Sequence, residues 1–276
     1  MRVALLQMTS GDDPAANAKV LCQAVADAAR GGADMVLTPE VSNCLSSSRA
    51  HQNEVLALEG DDETLIAMRE AAASAGIWAL IGSLALKTDD PDGRFANRSF
   101  MIASDGAVRA RYDKLHMFDV TLSETESYRE SAGYRPGTRA VSCETPWATF
   151  GLSICYDLRF AALYRALAQA GASILTVPSA FSVPTGEAHW HTLLKARAIE
   201  TGCFVLAPAQ VGAHGGGGGA LRRTYGHALA VSPWGEVLAD AGTEPGLTFV
   251  DLDLEEVAKA RRKVPSLSHD NPFEGP

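Results

Sequence analysis

Phe150-Gly-Leu-Ser-Ile-Cys-Tyr-Asp-Leu-Arg-Phe160 opens as an apolar run of strand character and reaches a cysteine where the strand should stop. Behind it, Leu163-Tyr-Arg-Ala-Leu-Ala-Gln-Ala170 reads as a helix. A thiol on a sharp strand-to-helix turn is held by rigid backbone on both sides, with nearby N–H groups free to face a substrate. A nucleophile needs that geometry. Taken alone, the stretch equally fits a small buried core residue, since free cysteine is often buried. The rest of the chain has to decide.

Working outward, apolar runs and helical periodicities alternate. Residues 3–8 form an apolar run broken only by Gln7, which fits a buried strand. Asp12-Asp13-Pro14 then signals a helix start, and Ala18, Leu21, Cys22, Val25, Ala28 and Ala29 recur on one helical face up to Gly31-Gly32. A strand at 33–38 stops at Pro39, with Glu40 just beyond its C-terminal end, where sites gather in open α/β folds. The pattern predicts a helix at 62–75, a strand at 77–84 and paired strands at 97–103 and 108–112. Asp113-Lys114-Leu-His-Met-Phe118 follows, then a polar loop to Gly137. Past the cysteine, strands are predicted at 172–177 and 204–209 around a helix at 187–202. A glycine run at 215–219 marks a flexible loop, a hairpin is predicted over 225–239, and a last strand at 247–252 leads into a short helix. Alternating elements with some adjacent strand pairs imply α/β layers with mixed sheets. No composition shift marks a boundary, so 1–276 reads as a single domain with 264–276 as a tail.

Composition narrows the classes. Hydrophobic residues make up 46% and charged residues 21%, as expected for a packed globular core. A net charge of −9 argues against a nucleic-acid partner. The five cysteines have no zinc-type spacing, which favours free thiols in a reducing compartment. No apolar run approaches the ~20 residues of a membrane span. Together these readings predict a cytoplasmic protein with no membrane partner. No glycine-rich phosphate-binding motif occurs. His189 and His191 are spaced i,i+2 rather than i,i+4 and show no third ligand, so neither a metal nor an organic cofactor is expected.

Glu40, Lys114 and Cys155 each follow a predicted strand. Three strand ends converging on one sheet edge would supply a carboxylate base, an oxyanion stabiliser and a nucleophile. His116 offers an alternative, a Cys/His dyad of protease type.

At this point the residues match a family. Thr38-Pro39-Glu40, Asp113-Lys114-Leu-His-Met-Phe-Asp119 and Ser153-Ile-Cys-Tyr-Asp-Leu-Arg-Phe160 resemble the three signature blocks of the nitrilase superfamily of carbon–nitrogen hydrolases. The likeness continues through His189-Trp190, Lys195-Ala-Arg-Ala-Ile-Glu200, Tyr225-Gly-His227 and Pro233-Trp-Gly-Glu236, and it looks closest to the Nit-type amidases. Tyr156-Asp157 stands where true nitrilases usually carry Trp-Glu, which favours an amide over a nitrile. The resemblance implies a four-layer αββα sandwich with two mixed β-sheets and a triad of Glu40, Lys114 and Cys155. It adds Glu130, in Tyr128-Arg-Glu-Ser131, as a second active-site glutamate, and a homodimer or larger even assembly. Two departures bear on substrate choice: five glycines follow Ala213-His214, and Ser268-His269-Asp270-Asn271 replaces a His-Arg-Arg segment.

The expected reaction is cysteine-dependent hydrolysis of a small carboxylate-bearing amide through a thioester, with release of ammonia. Tyr156 would supply a backbone oxyanion donor, and Arg159 with His189 would bind substrate. Arg159 could instead pair with Asp157. The competing readings are an N-carbamoyl amidohydrolase, aliphatic amidase or nitrilase of the same superfamily, a non-catalytic binding protein on this fold, and the Cys/His protease.

Overall fold

The computed structural model describes residues 1–124, 126–215 and 222–275. Apart from Gly215, the glycine run predicted to be a flexible loop lies outside them. The first half of the chain runs β1 (Arg2–Gln7), α1 (Pro14–Arg30), β2 (Met35–Leu37), α2 (Arg49–Val55), α3 (Glu63–Ala75), β3 (Trp78–Leu86), β4 (Ala96–Ile102) and β5 (Val108–Asp113). A hairpin of β6 (Asp119–Thr121) and β7 (Ser127–Arg129) follows. The second half runs β8 (Val141–Glu144), β9 (Thr149–Leu152), α4 (Ala161–Gln169), β10 (Ile174–Thr176), α5 (Val183–Thr201), β11 (Phe204–Ala207), β12 (Val211–His214), β13 (Arg222–Tyr225), β14 (Leu229–Val231), β15 (Val237–Asp240), β16 (Gly246–Asp251) and α6 (Glu255–Lys263).

Two six-stranded sheets dominate, ordered β16-β1-β2-β3-β4-β5 and β15-β14-β11-β10-β9-β8. From β16 and from β8 inward, the pairings follow one sequence: antiparallel, parallel, parallel, antiparallel, antiparallel. The sheets face each other, with α1 and α3 covering the first and α4 and α5 the second. This is the αββα sandwich.

Period-two alternation explains the continuous apolar runs. Val3, Leu5, Met35, Leu37, Trp78 and Leu80 enter the core between the sheets. Their neighbours Ala4, Leu6, Val36, Ala79 and Ile81 pack under α1 and α3. Both faces are buried, so no polar alternation remains to be read. Each fully buried Leu, Ile or Val contributes about 1.5–3 kcal/mol. The helices start where capping chemistry allows. The Asp13 carboxylate accepts the N–H groups of Ala15 and Ala16 at 2.9 and 3.2 Å, and Asp62 accepts that of Leu65 at 2.8 Å.

Four segments differ from expectation. The polar loop before Gly137 contains β6, β7 and a 3-10 turn at Glu130–Ala132, elements too short for periodicity to reveal. α2 was not predicted, because Arg49–Val55 carries no apolar stripe; Ser48 caps it through His51 N–H. α5 begins a turn earlier than expected, with Pro184 in its first turn, where a missing N–H costs nothing. The hairpin expected over 225–239 has its first arm, 225–231, split, because Gly226 and His227 take φ of +79° and +55° and turn the chain.

Candidate active site

Cys155 follows β9 and takes φ +50°, a left-handed conformation that is strained for a residue with a Cβ. Its N–H donates to Pro178 O at 3.0 Å, and a short 3-10 helix, Cys155–Arg159, carries the chain on to α4. The N–H of Tyr156 belongs to the first turn of that helix, where leading N–H groups lack intrahelical acceptors. Asp157, fully buried, holds the turn together. It accepts from Ile154 N–H at 2.9 Å, Tyr112 O–H at 2.7 Å and His116 N–H at 3.0 Å, and lies 2.7 Å from His116 Nδ1.

Glu40 sits past β2 on a loop seated against a bulge in β3. Ser83 Oγ accepts Val41 N–H at 2.8 Å, Ser83 O accepts Ser42 N–H at 2.9 Å, and the β3–β4 register shifts between Ile81 and Leu84. Gly82 is required there, because a Cβ would lie 2.0 Å from Thr38 O and 2.4 Å from Pro178 Cβ. Lys114 directly follows β5, its main chain bonded to Asn97 O and Gly137 N–H at 2.9 and 2.8 Å. Glu130 opens the 3-10 turn and accepts Phe118 N–H at 2.7 Å.

These side chains meet. Lys114 Nζ donates to Glu40 Oε1 at 2.8 Å and to both Glu130 oxygens at 2.9 and 2.8 Å. Ala180 N–H donates to Glu40 Oε2 at 2.8 Å. Asn97 Nδ2 bridges the two carboxylates at 3.0 and 3.3 Å. Glu40, Lys114 and Cys155 are 3%, 2% and 7% exposed, so their charges act in a poorly screened environment.

Burial alone would raise the pKa of Glu40, but the Lys114 ammonium outweighs it and holds the carboxyl below its usual range. Burial would likewise lower that of Lys114, yet Glu130 and Glu40 keep it well above the ordinary lysine value. The Cys155 thiol is pushed strongly up by burial and then by the Glu40 charge, against the pull of Lys114. The resting state is therefore a neutral thiol beside a carboxylate and an ammonium.

A cavity of about 790 Å³ opens over this cluster, lined by Glu40, Asn97, Lys114, Glu130, Cys155 and Tyr156. Phe118, Tyr128, Tyr134 and Phe181 supply aromatic wall, and Arg129, Arg222 and Arg223 supply positive charge. Arg222 Nη2 donates to Ala180 O at 2.8 Å, while its buried Nε has no acceptor among the described residues.

Arg159 and His189 stand beside this lining: the Arg159 guanidinium lies 5.9 and 5.6 Å from the ring centres of Tyr156 and Phe181, two residues of the cavity wall. The 3-10 turn carries Arg159 toward α5, where its Nη2 lies 3.3 Å from His189 Nδ1. Arg159 does not take Asp157 as partner either, since Asp157 is committed to Ile154, Tyr112 and His116. His116 stacks on Phe160 at 3.5 Å and 7° and also lies outside the lining, so the Cys/His alternative gains no geometric support. Asn97, Asp157 and Arg222 were missed from sequence. Asp157 stood within the quoted cysteine block, but Asn97 is an unremarkable residue in a strand. Among the described residues, one set of side chains has ligating atoms near enough to share a metal ion: His191, His227 and Asp240, none of which lines the cavity.

A strained cysteine at a strand end, a buried Glu–Lys–Glu cluster and two mixed sheets between helices define a nitrilase-fold hydrolase. The chain belongs to the carbon–nitrogen hydrolase family, whose model matches residues 2–262. It is 37% identical over 268 residues to deaminated glutathione amidase of Yersinia enterocolitica, covering 97% of this chain and 92% of that one. It is 38% identical over 276 residues to the Homo sapiens protein of the same name, covering 98% and 82%. Among solved structures, the Caenorhabditis elegans NitFhit protein superposes with a TM-score of 0.90 at 37% identity. The match covers 98% of this chain and 64% of that one. Nit3 of Saccharomyces cerevisiae, a nitrilase superfamily member, gives 0.82 at 26% identity, covering 96% and 94%. The chain is an amidase of this superfamily.

Proposed function

We propose that this amidase hydrolyses the amide of a small carboxylate-bearing acid through a thioester on Cys155. The observation that carries the reading is the shared cavity wall of Cys155 with Glu40, Lys114 and Glu130, in a cavity that arginines also line. Cys155 Sγ attacks the amide carbon while its proton passes to Glu40. The oxyanion is met by Lys114 Nζ and the N–H of Tyr156. On collapse, Glu40 returns the proton to nitrogen and the amine departs, as ammonia from a primary amide. Water then gives a proton to Glu40 and attacks the thioester, releasing the acid and restoring the thiol. Glu130 and Asn97 hold Lys114 and Glu40 at fixed spacing.

The substrate carboxylate falls to Arg222, which lines the cavity, with Arg159, whose guanidinium lies over the wall rings of Tyr156 and Phe181, as the second candidate. Deaminated glutathione, named for the curated relatives, heads the candidates, with 2-oxoglutaramate next. The five cysteines are unpaired, as in a reducing cytoplasm, and the protein works as a homodimer. The test is formation of acid and amine from these two compounds and from short neutral amides, with Cys155→Ala as the blank. Arg222→Lys is expected to raise KM for carboxylate-bearing amides and to change it far less for neutral ones. Neutral amides as the better substrates of the unaltered enzyme would overturn the acid preference, and undiminished turnover by Cys155→Ala would overturn the covalent route.

A further inference from the structure

His191, His227 and Asp240 come from three separate elements: the middle of α5, the turn between β13 and β14, and the end of β15. Their ligating atoms converge. His191 Nε2 lies 2.9 Å from Asp240 Oδ2, His227 Nδ1 lies 2.9 Å from Asp240 Oδ1, and all the ligand atoms fall within 4.8 Å of one another. We propose that these residues form a binding site for a divalent transition-metal ion of the zinc, nickel or copper type, separate from the amidase cavity.

The site is built rather than incidental. The His227 main chain is pinned on both sides, its N–H donating to Gly242 O at 2.8 Å and its carbonyl accepting Trp190 Nε1 at 2.9 Å. Its φ of +55° is the left-handed turn that points the ring back toward α5. Tyr225 stacks on the His227 ring at 4.5 Å and 25°, and His191 meets that ring nearly edge-on at 5.3 Å. Trp190, fully buried, anchors the helix turn that carries His191. The Asp240 carboxyl also accepts Gly242 N–H at 2.9 Å.

The donor set selects the ion. Two imidazole nitrogens and one carboxylate suit borderline ions, whereas magnesium and calcium prefer all-oxygen shells. Zinc bonds of about 2.0–2.2 Å put tetrahedral ligands roughly 3.3 Å apart. The two histidine–aspartate contacts therefore need to open by only a few tenths of an ångström, while His191 and His227 close to the same spacing from within 4.8 Å. The side chains are 36%, 22% and 31% exposed for His191, His227 and Asp240, enough for an ion to enter and for water to complete its shell. Bound there, the ion ties α5 to the β14–β15 hairpin.

The test uses untagged, chelator-stripped full-length protein titrated calorimetrically with zinc chloride in a non-coordinating buffer. One ion per chain is expected, together with a raised Tm. His191→Gln, an exposed-face change, and Asp240→Asn are each expected to weaken binding at least about tenfold. Cobalt(II) substitution should give a tetrahedral d–d spectrum without a thiolate charge-transfer band, separating the site from Cys155. His191→Gln should keep unaltered amidase turnover, as expected of a site outside the cavity. Absence of zinc binding, zinc affinity unchanged in both variants, or a thiolate band with cobalt would each overturn the proposal.

Discussion

Glu40 and Cys155 illustrate how two buried groups divide one proton. The Glu40 charge is among the causes that push the thiol up, and Lys114 pulls it down. Replacing Glu40 by Gln removes the anion and leaves the ammonium. Amide hydrolysis should fall by roughly 10²–10⁴-fold, the usual share of a general base. Alkylation of Cys155 by iodoacetamide near neutral pH should instead become faster, because the thiolate fraction rises. Mass spectrometry of the modified peptide over time checks this, and slower alkylation would show that Glu40 does not raise the thiol. Lys114 carries a linked prediction. In the native protein the Glu40 pKa is depressed, so its contribution is complete above the ordinary carboxylate value of about 4.3 and is lost only as pH falls through its lower folded value. In Lys114→Met, burial acts without the ammonium, which raises the Glu40 pKa and reverses the sign. The variant should be about 3–5 kcal/mol less stable near pH 7. Denaturant melts should show that gap narrowing toward about pH 5, as Glu40 takes up a proton in the variant only.

At the scale of elements, the β3 bulge places the Glu40 loop against Pro178, from the loop after β10. Gly82→Ala would drive a Cβ into Thr38 O and Pro178 at 2.0 and 2.4 Å, contacts that backbone cannot relieve by a rotamer change. Overpacking of this kind typically costs about 1–3 kcal/mol, and here it also displaces Glu40. Urea melts are expected to show a loss at the upper end of that range, with turnover falling further than stability alone explains. Gly60→Ala, where nothing lies within 4 Å of the added Cβ, serves as the comparison and should be nearly neutral. The C-terminal segment is held in a similar local way: Asp270 takes Arg165 and Gln169 of α4, so the segment read as a tail packs back on the second helix layer.

For the whole molecule, the described residues include an exposed apolar face. Ile199, Trp234 and Val264 are 56%, 52% and 55% exposed, and they are neighbours: Ile199 packs against Gly235, and Lys263 lies over the Trp234 ring at 4.9 Å. Val237 and Leu238 of β15 are exposed as well. Such a face on the second layer suits a second copy of the chain across a twofold axis. Light scattering at micromolar concentration is expected to give twice the 29.1 kDa chain mass. Ile199→Asp with Trp234→Asp should shift it toward the monomer while the far-ultraviolet spectrum stays unchanged. A monomeric mass for the unaltered enzyme would remove the dimer from the proposal.

Residues 3–8, 33–38 and 204–209 could be read as buried strands because runs apolar on both faces need only local pattern, and Asp13-Pro14 and Gly31 bracketed a helix whose apolar face recurs between them. Glu40, Lys114 and Cys155 were legible as strand-end residues for the same reason, since strand ends can be counted along the chain. Their convergence is another matter. The bond from Lys114 to Glu40 spans 74 positions and that from Ala180 to Glu40 spans 140, and no periodicity carries information over such separations. Arg159, four residues from Cys155, lies over Tyr156 and Phe181 and reaches His189 on α5, contacts that its position in the sequence does not show. Arg222 reaches the cavity from β13, far along the chain. His227 and Asp240 likewise meet His191 only because Gly226 and His227 reverse the backbone through positive φ. Sequence by itself determined which segments bury their faces and where strands end, because those depend on neighbours in the chain. Which side chains share a cavity depends on how the two sheets close on each other, and only the tertiary structure decided that.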